Sequence, residues 1–169
     1  MYLIFDLDQT LLDSSIAEVH RKNRQWGNVY PLIPQMEVYD GIEEIFAHIR
    51  QSDTKVAIVT SSPGTYCSRV IQHHKWPVPV TVCFHDTALR KPHPAPIQLA
   101  LQRLGNPPPD QVYSFGDMAT DITASNAAGV HSAACLWGSN DPAALAAARP
   151  EFTFNTPHEV VAFLDNLRA

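Results

Sequence analysis

Along this chain apolar positions recur with two different periods. Short β-branched and aromatic runs at Tyr2–Phe5, Val56–Val59, Val80–Phe84, Val112–Phe115 and Ala133–Leu136 predict strands, and a shorter run at Phe152–Phe154 predicts another. Between them the spacing lengthens to that of a helix. Ile42, Ile45, Phe46 and Ile49 make one apolar face, Ile97, Ala100, Leu101 and Leu104 a second, and Val160, Val161, Leu164 and Leu167 a third. Strand and helix alternate almost throughout. That order implies parallel pairing through right-handed crossovers, and hence a three-layer α/β/α sandwich with a mainly parallel sheet. Turn residues agree: Gly105, Asn106 and Pro107–Pro109 stop one helix, and Gly129 stops the next.

One segment breaks the alternation. After Thr10 roughly 30 residues precede the helix that begins near Gly41, far more than a short crossover needs. Ser15-Ile-Ala-Glu18 has the spacing of a capping box, and Ile16, Val19 and Trp26 would share one face of the helix it starts. VYPLIPQMEVYDG, with Pro31 and Pro34, then reads as an extended or looping arm. The expected organisation is a single domain over residues 1–169 with a small insertion at about 13–40.

Composition narrows the functional classes. Net charge −5 gives no general field for nucleic acid or an anionic membrane, so an anionic substrate must be met by a local site. Cys67, Cys83 and Cys135 lack CxxC spacing and lie in or beside apolar stretches, which reads as core thiols in a reducing compartment. The N-terminal apolar run meets Asp6 at once, unlike a signal peptide, and no stretch approaches membrane-spanning length. A cytoplasmic location is expected.

The residues after each predicted strand carry the chemistry, because open parallel sheets bind ligands beyond the carboxyl ends of their strands. The first strand is followed by Asp6, Asp8 and Thr10, the second by Thr60, Ser61 and Ser62, and the third by Lys91 in RKPHP. Gly116 and Asp117 follow the fourth, with Asp121 four residues on. Like carboxylates at one edge repel and resist desolvation unless a cation or a reaction uses them. Mg²⁺ is the natural counterion, since it takes hard oxygen ligands and leaves positions for a phosphate oxygen. Phosphoryl transfer needs an in-line nucleophile and an acid for the departing alkoxide. Asp6 fits the nucleophile at the strand end, and Asp8 fits the acid because a two-residue step returns the side chain to a similar direction.

FDLDQT, VTSS, RKP and GDMATD, in this order and at strand ends, resemble the haloacid dehalogenase-like (HAD) superfamily of hydrolases. The closing AAGVHSAACLWG and LAAARPEFTF stretches resemble that family's last strands and helices. The resemblance implies a Rossmann-like core, Asp6 as nucleophile and Asp8 as general acid/base. It implies that Thr60 donates a hydrogen bond to the phosphoryl oxygen, that Ser61 helps bind substrate, and that Lys91 bridges nucleophile and phosphate. Mg²⁺ would be held by Asp6, the backbone carbonyl of Asp8 and Asp117, with Asp121 directly or through water. Gln9 stands where the family often has glycine, which bears on turn flexibility or leaving-group contact. Family members that act on carbon–halogen bonds lack an acid two residues after the nucleophile, so Asp8 points to phosphoesters.

The expected protein is a phosphatase with an aspartyl-phosphate intermediate; a phosphotransferase or mutase, or a non-catalytic regulatory protein, would keep the same residues. With so small a cap the site should be open, suiting a phosphorylated small molecule or the exposed end of a macromolecule, nucleic acid included only as substrate. A homo-oligomer whose neighbour closes the site is the other solution. Arg21, Lys22, Arg24 and Trp26 form either a solvated basic face or a contact for the leaving group. The eight histidines show no metal-ligand spacing, and His93, beside Lys91, is the nearest to a role.

Overall fold

A run such as Val56–Val59 is apolar at every position, and such a strand is stable where both faces of its sheet are covered. In the structure, a computed structural model that describes residues 1–168, both faces are covered. The elements in chain order are β1 (Tyr2–Phe5), β2 (Leu12–Asp13), α1 (Glu18–Lys22), α2 (Trp26–Val29), β3 (Glu37–Val38), α3 (Ile42–Arg50), β4 (Lys55–Val59) and α4 (Gly64–His74). There follow β5 (Val80–Val82), α5 (Ala95–Arg103), β6 (Val112–Gly116), α6 (Ala119–Ala128), β7 (His131–Cys135), α7 (Pro142–Ala147), β8 (Phe152–Phe154) and α8 (Pro157–Arg168). Six strands form one parallel sheet in the order β5-β4-β1-β6-β7-β8, and β2 and β3 pair antiparallel apart from it.

Side chains alternate across the sheet. Leu3 and Phe5 of β1 point into a core with Ile42, Ile45 and Phe46 of α3 and Val160 and Leu164 of α8. Ile4 points the other way, toward Ala57, Val59 and the Ile97 and Ala100 of α5. Phe5 stacks on Phe115 at 4.9 Å between ring centroids. Truncating Phe5 to alanine would cost about 3–5 kcal/mol through lost burial and the cavity left behind. The register matters most for function: Phe5 lies opposite both Ile58 and Phe115, so the chain leaves β1, β4 and β6 at one level. The strand order switches direction at β1, which is where a ligand crevice opens in such sheets.

Two strands differ from the periodicity. β5 stops at Val82 because the N–H of Cys83 turns out of the ladder to the Asp86 carboxylate, 2.6 Å away. β7 starts at His131, since polar residues there find partners: His131 pairs with Glu151 and the Ser132 hydroxyl with Asn126. The three cysteines are free and buried.

Residues 13–40 depart further. The expected helix from Ser15 to Trp26 is broken into a 3₁₀ turn at Ser15–Ala17, the five-residue α1, a left-handed Arg24 (φ 55°) and the four-residue α2. The capping box does not form, and Glu18 pairs with Lys22 one turn on. Ile16 and Val19 are 50% and 69% exposed, so they share no buried face with Trp26. The arm is 3₁₀ helix over Tyr30–Gln35 before β3 rather than extended chain. Helices this short are unstable alone in water. Tertiary contacts hold them: Val29, Ile33 and Met36 are buried in the main core, and the Arg69 guanidinium sits 4.3 Å from the Tyr30 ring centre.

Candidate active site

Asp6 leaves β1 with its N–H donating to the Phe115 carbonyl at 2.9 Å, and its carboxylate meets Lys91. Lys91 Nζ donates to Asp6 Oδ1 at 2.8 Å and to the Val59 carbonyl at 3.1 Å, and lies 2.6 Å from Asp121 Oδ1. All three ammonium protons are thereby used. A buried ammonium persists only when paired. Burial pulls the Lys91 pKa down, but Asp121 and Asp6 outweigh it and leave the group raised.

Asp117 follows β6, and its Oδ1 accepts from the buried Thr10 hydroxyl at 2.9 Å. Carboxylate oxygens of Asp6, Asp117 and Asp121 lie within 4.8 Å of one another. Burial lifts Asp6 to about 7, against the pull of Lys91 and with a push from Asp121 and Asp8. Burial, then Asp6 and Asp121, lift Asp117 to about 8 while Thr10 opposes. Three crowded acids face one lysine, an arrangement that suits a hard divalent cation, whose ligands are oxygens of this kind. Asp121 also fixes the start of α6, its Oδ2 accepting from Met118 N–H at 3.0 Å. Only glycine fits beneath it: a Cβ on Gly116 would stand 2.3 Å from Asp121 Cβ.

Asp8 turns to other partners. Its Oδ1 accepts from the Tyr66 hydroxyl at 2.8 Å, while its Oδ2 accepts from the Ser62 hydroxyl at 2.7 Å and lies 2.6 Å from Arg21 Nη2. Tyr66, fully buried on α4, has its pKa raised by that burial and by Asp8. Arg21 Nη1 donates to the Ser14 hydroxyl at 2.8 Å. Thr60 is buried, its Oγ1 accepting from Ser62 N–H at 3.0 Å, and the hydroxyl hydrogen makes no bond among the described residues. Ser61 is exposed on the cleft.

The turn between Asp8 and Thr10 is braced from two sides. Trp137 Nε1 donates to the Thr10 carbonyl at 2.9 Å, and Gly138 lies so close to the Gln9 carbonyl that any Cβ would overlap it. Gln9 itself is left-handed (φ 65°), the conformation that explains why glycine suits this place. Its side chain does what glycine cannot: Oε1 accepts from the Tyr39 hydroxyl and Nε2 donates to Asp13 Oδ1 at 3.2 Å, tying both ends of the segment 13–40 to the turn.

Above these groups opens a cleft of about 730 Å³, walled by Arg21, Lys22, Arg24 and Trp26 on one side and by Met118, Ser139 and Asp141 on the other. Of the basic residues Lys22 is bound to Glu18 and Arg24 is exposed, while Arg21 reaches the site. His93 accepts from the Ala95 N–H at the start of α5 and is exposed, a local structural role. Sequence reasoning missed Tyr66 and Ser14 as partners and His85 on the cleft wall. Tyr66 was accessible to it, because a tyrosine spaced with Cys67 and Val70 on a buried helix face must find a partner for its hydroxyl.

A parallel α/β sheet with an acid and lysine centre at the carboxyl edge of its central strand defines the class of this protein as Rossmann-like. The chain belongs to the haloacid dehalogenase-like hydrolases, whose family model matches residues 20–135. That span includes Thr60, Lys91, Asp117 and Asp121, and Asp6 and Asp8 precede it. The chain is 34% identical over 106 residues to a phosphoglycolate phosphatase of Xanthomonas campestris, covering 62% of this chain and 48% of that protein. It is 29% identical over 134 residues to the pyrophosphatase PpaX of Bacillus cereus, covering 78% and 62%. The chain thus spans about half the length of the phosphoglycolate phosphatase it matches. In structure it resembles a hydrolase from Pseudomonas syringae, with TM-score 0.80 at 21% identity over 98% of both chains. No helix among the described residues is long and apolar enough to cross a membrane.

Proposed function

We propose that this chain is a Mg²⁺-dependent phosphatase that hydrolyses a phosphate monoester through an aspartyl phosphate on Asp6. The observation that carries the reading is the Lys91 ammonium, 2.8 Å from Asp6 and 2.6 Å from Asp121 beside the three-acid cluster. Asp6, the Asp8 carbonyl, Asp117 and Asp121 would hold Mg²⁺, which when bound neutralises charge on the phosphoryl oxygens. The Asp6 carboxylate attacks phosphorus while the bond to the leaving oxygen breaks and Asp8 gives that oxygen a proton. Asp8, now a carboxylate, takes a proton from water, whose oxygen attacks the aspartyl phosphate and releases inorganic phosphate with Asp6 restored. Lys91 keeps Asp6 oriented and its charge balanced, Thr60 donates its free hydroxyl hydrogen to a phosphoryl oxygen, and Ser61 adds a contact from the cleft.

Residues 13–40 serve as a reduced cap over this site. Phosphoglycolate and pyrophosphate, the compounds in the relatives' names, each carry a second negative group, which supports a small anionic substrate. The test is phosphate release from a panel of monoesters with Mg²⁺ and with EDTA, together with acid-quenched mass analysis of the peptide carrying Asp6. Mg²⁺-dependent release and a phosphorylated Asp6 peptide are expected. Equal release in EDTA, or turnover with the label on another residue, would overturn the reading.

A further inference from the structure

Asp8 holds three donors in the arrangement described, the contacts of an ionised carboxylate. Oδ1 takes the Tyr66 hydroxyl, and Oδ2 takes the Ser62 hydroxyl and the Arg21 guanidinium. To give a proton to a leaving oxygen it must first carry one, and a guanidinium nitrogen 2.6 Å from Oδ2 stands where that proton would sit. Tyr66 and Ser62 are buried and held by α4 and the turn before it. Arg21 comes from the five-residue α1 and keeps 22% of its side chain exposed on the cleft. It is the donor able to leave. Its guanidinium is also incompletely satisfied: Nη1 and Nη2 are bonded, but Nε is buried without a partner among the described residues. A carboxylate or phosphate could take Nε and a neighbouring amino group together, the paired contact that a neutral hydroxyl cannot make.

We propose that an anionic group on the leaving part of the substrate draws Arg21 off Asp8, and that this exchange lets Asp8 take up a proton from water and pass it to the leaving oxygen. Arg21 is then a positioning residue for Asp8 and sets specificity for monoesters bearing a second negative charge near the ester oxygen. The inference rests on the phosphatase reading and goes beyond it, because it makes recognition and chemistry a single event. A residue that merely touches the leaving group binds ground state and transition state alike and changes KM. Arg21 acts on the protonation step, so the leaving group's charge should be felt in kcat.

The experiment compares the parent, Arg21→Met and Arg21→Lys on 2-phosphoglycolate and on its neutral counterpart, 2-hydroxyethyl phosphate, with Mg²⁺. The parent should turn over the anionic ester with a kcat about 30-fold above the neutral one. In Arg21→Met that ratio should collapse to about 3-fold or less, because the neutral ester gains kcat once no guanidinium holds Asp8. Arg21→Lys, which keeps a cation without the fork, should fall between, and it carries the test if Arg21→Met does not fold. A kcat ratio unchanged in both variants, or a loss confined to KM, overturns the coupling while the phosphatase reading stands. A parent inactive on both esters and on a wider panel overturns both.

Discussion

On the floor of the cleft, Asp6, Thr60 and Gly116 leave strands whose backbone bonds continue to the last residue: Asp6 N–H reaches Phe115, Thr60 N–H reaches Val82, and Gly116 pairs with Ala134. On the wall, Arg21 and Trp26 come from helices of five and four residues with no side-chain cap at either start. The floor is shaped by main chain, and its side chains inherit their places. The wall is shaped by side chains gripping the floor: Arg21 on Asp8, Tyr39 on Gln9, and Trp26 against Tyr66 at 5.6 Å between ring centres. Damage should therefore travel from floor to wall and not the other way.

The largest effect should come from Asp6→Asn. It removes the proposed nucleophile, and kcat should fall at least about 10⁴-fold. The fold should survive, since one of three crowded acids loses its charge, and at pH 8 the metal-free variant should melt no lower than the parent. Activity within about tenfold of the parent would contradict the role of Asp6.

Asp8→Asn sharpens the comparison, because Asp8 belongs to the floor and anchors the wall. Turnover of an alkyl monoester should drop about 10²–10⁴-fold, and of an activated aryl phosphate much less in the transfer step. At the same time limited proteolysis within residues 13–40 should quicken while the melting temperature moves little. Unchanged cleavage would mean that the wall holds without Asp8.

The acid cluster predicts a pH effect on stability. Asp6 and Asp117, raised to about 7 and about 8 from 3.8, bind protons more tightly folded than unfolded. Their contribution is present below about pH 4 and is lost as pH rises through about 7 to 8. The metal-free protein should melt lower at pH 8 than at pH 5, by on the order of 5 °C, and saturating Mg²⁺ should flatten the slope. Calorimetry at both pH values, with and without Mg²⁺, measures it.

Gln9→Gly should have the smallest effect on stability. Relief of a left-handed residue, worth about 1 kcal/mol, offsets two lost side-chain bonds of about 1 kcal/mol each. The melting temperature should shift by no more than about 4 °C, yet proteolysis within 13–40 should rise. A large drop in stability with no change in cleavage would place Gln9's role in the core instead.

The floor was legible in the sequence because its residues follow strands that announce themselves. Asp6 and Thr60 sit one residue beyond apolar runs and Asp117 two, and a parallel sheet brings such ends together whatever the loops do. Lys91 was legible only through its motif, since it lies in a turn nine residues past β5 with no periodicity around it. The wall was not legible. Ile16 and Val19 mimic a helical face yet point to solvent, and a capping-box spacing does not nucleate a helix whose next turn breaks at Arg24. The grip of Arg21 on Asp8 spans 13 positions of chain broken into a two-residue strand, a 3₁₀ turn and a five-residue helix, which no local pattern encodes.

The small β2–β3 ladder has a consequence for exchange of parts. Leu12 faces Val38 and Asp13 faces Glu37, so the chain departs and returns about one strand spacing, ~5 Å, apart. Whatever is spliced between those pairs enters and leaves through the same doorway. Loop closure penalises each doubling of its length by only about 0.6 kcal/mol, so the intervening residues could be exchanged as a cassette provided the insert refills the core space of Ala17, Val29, Ile33 and Met36. A graft between residues 14 and 36 that supplies its own partner for Asp8 should retune which leaving groups are accepted while the sheet edge below remains as it was.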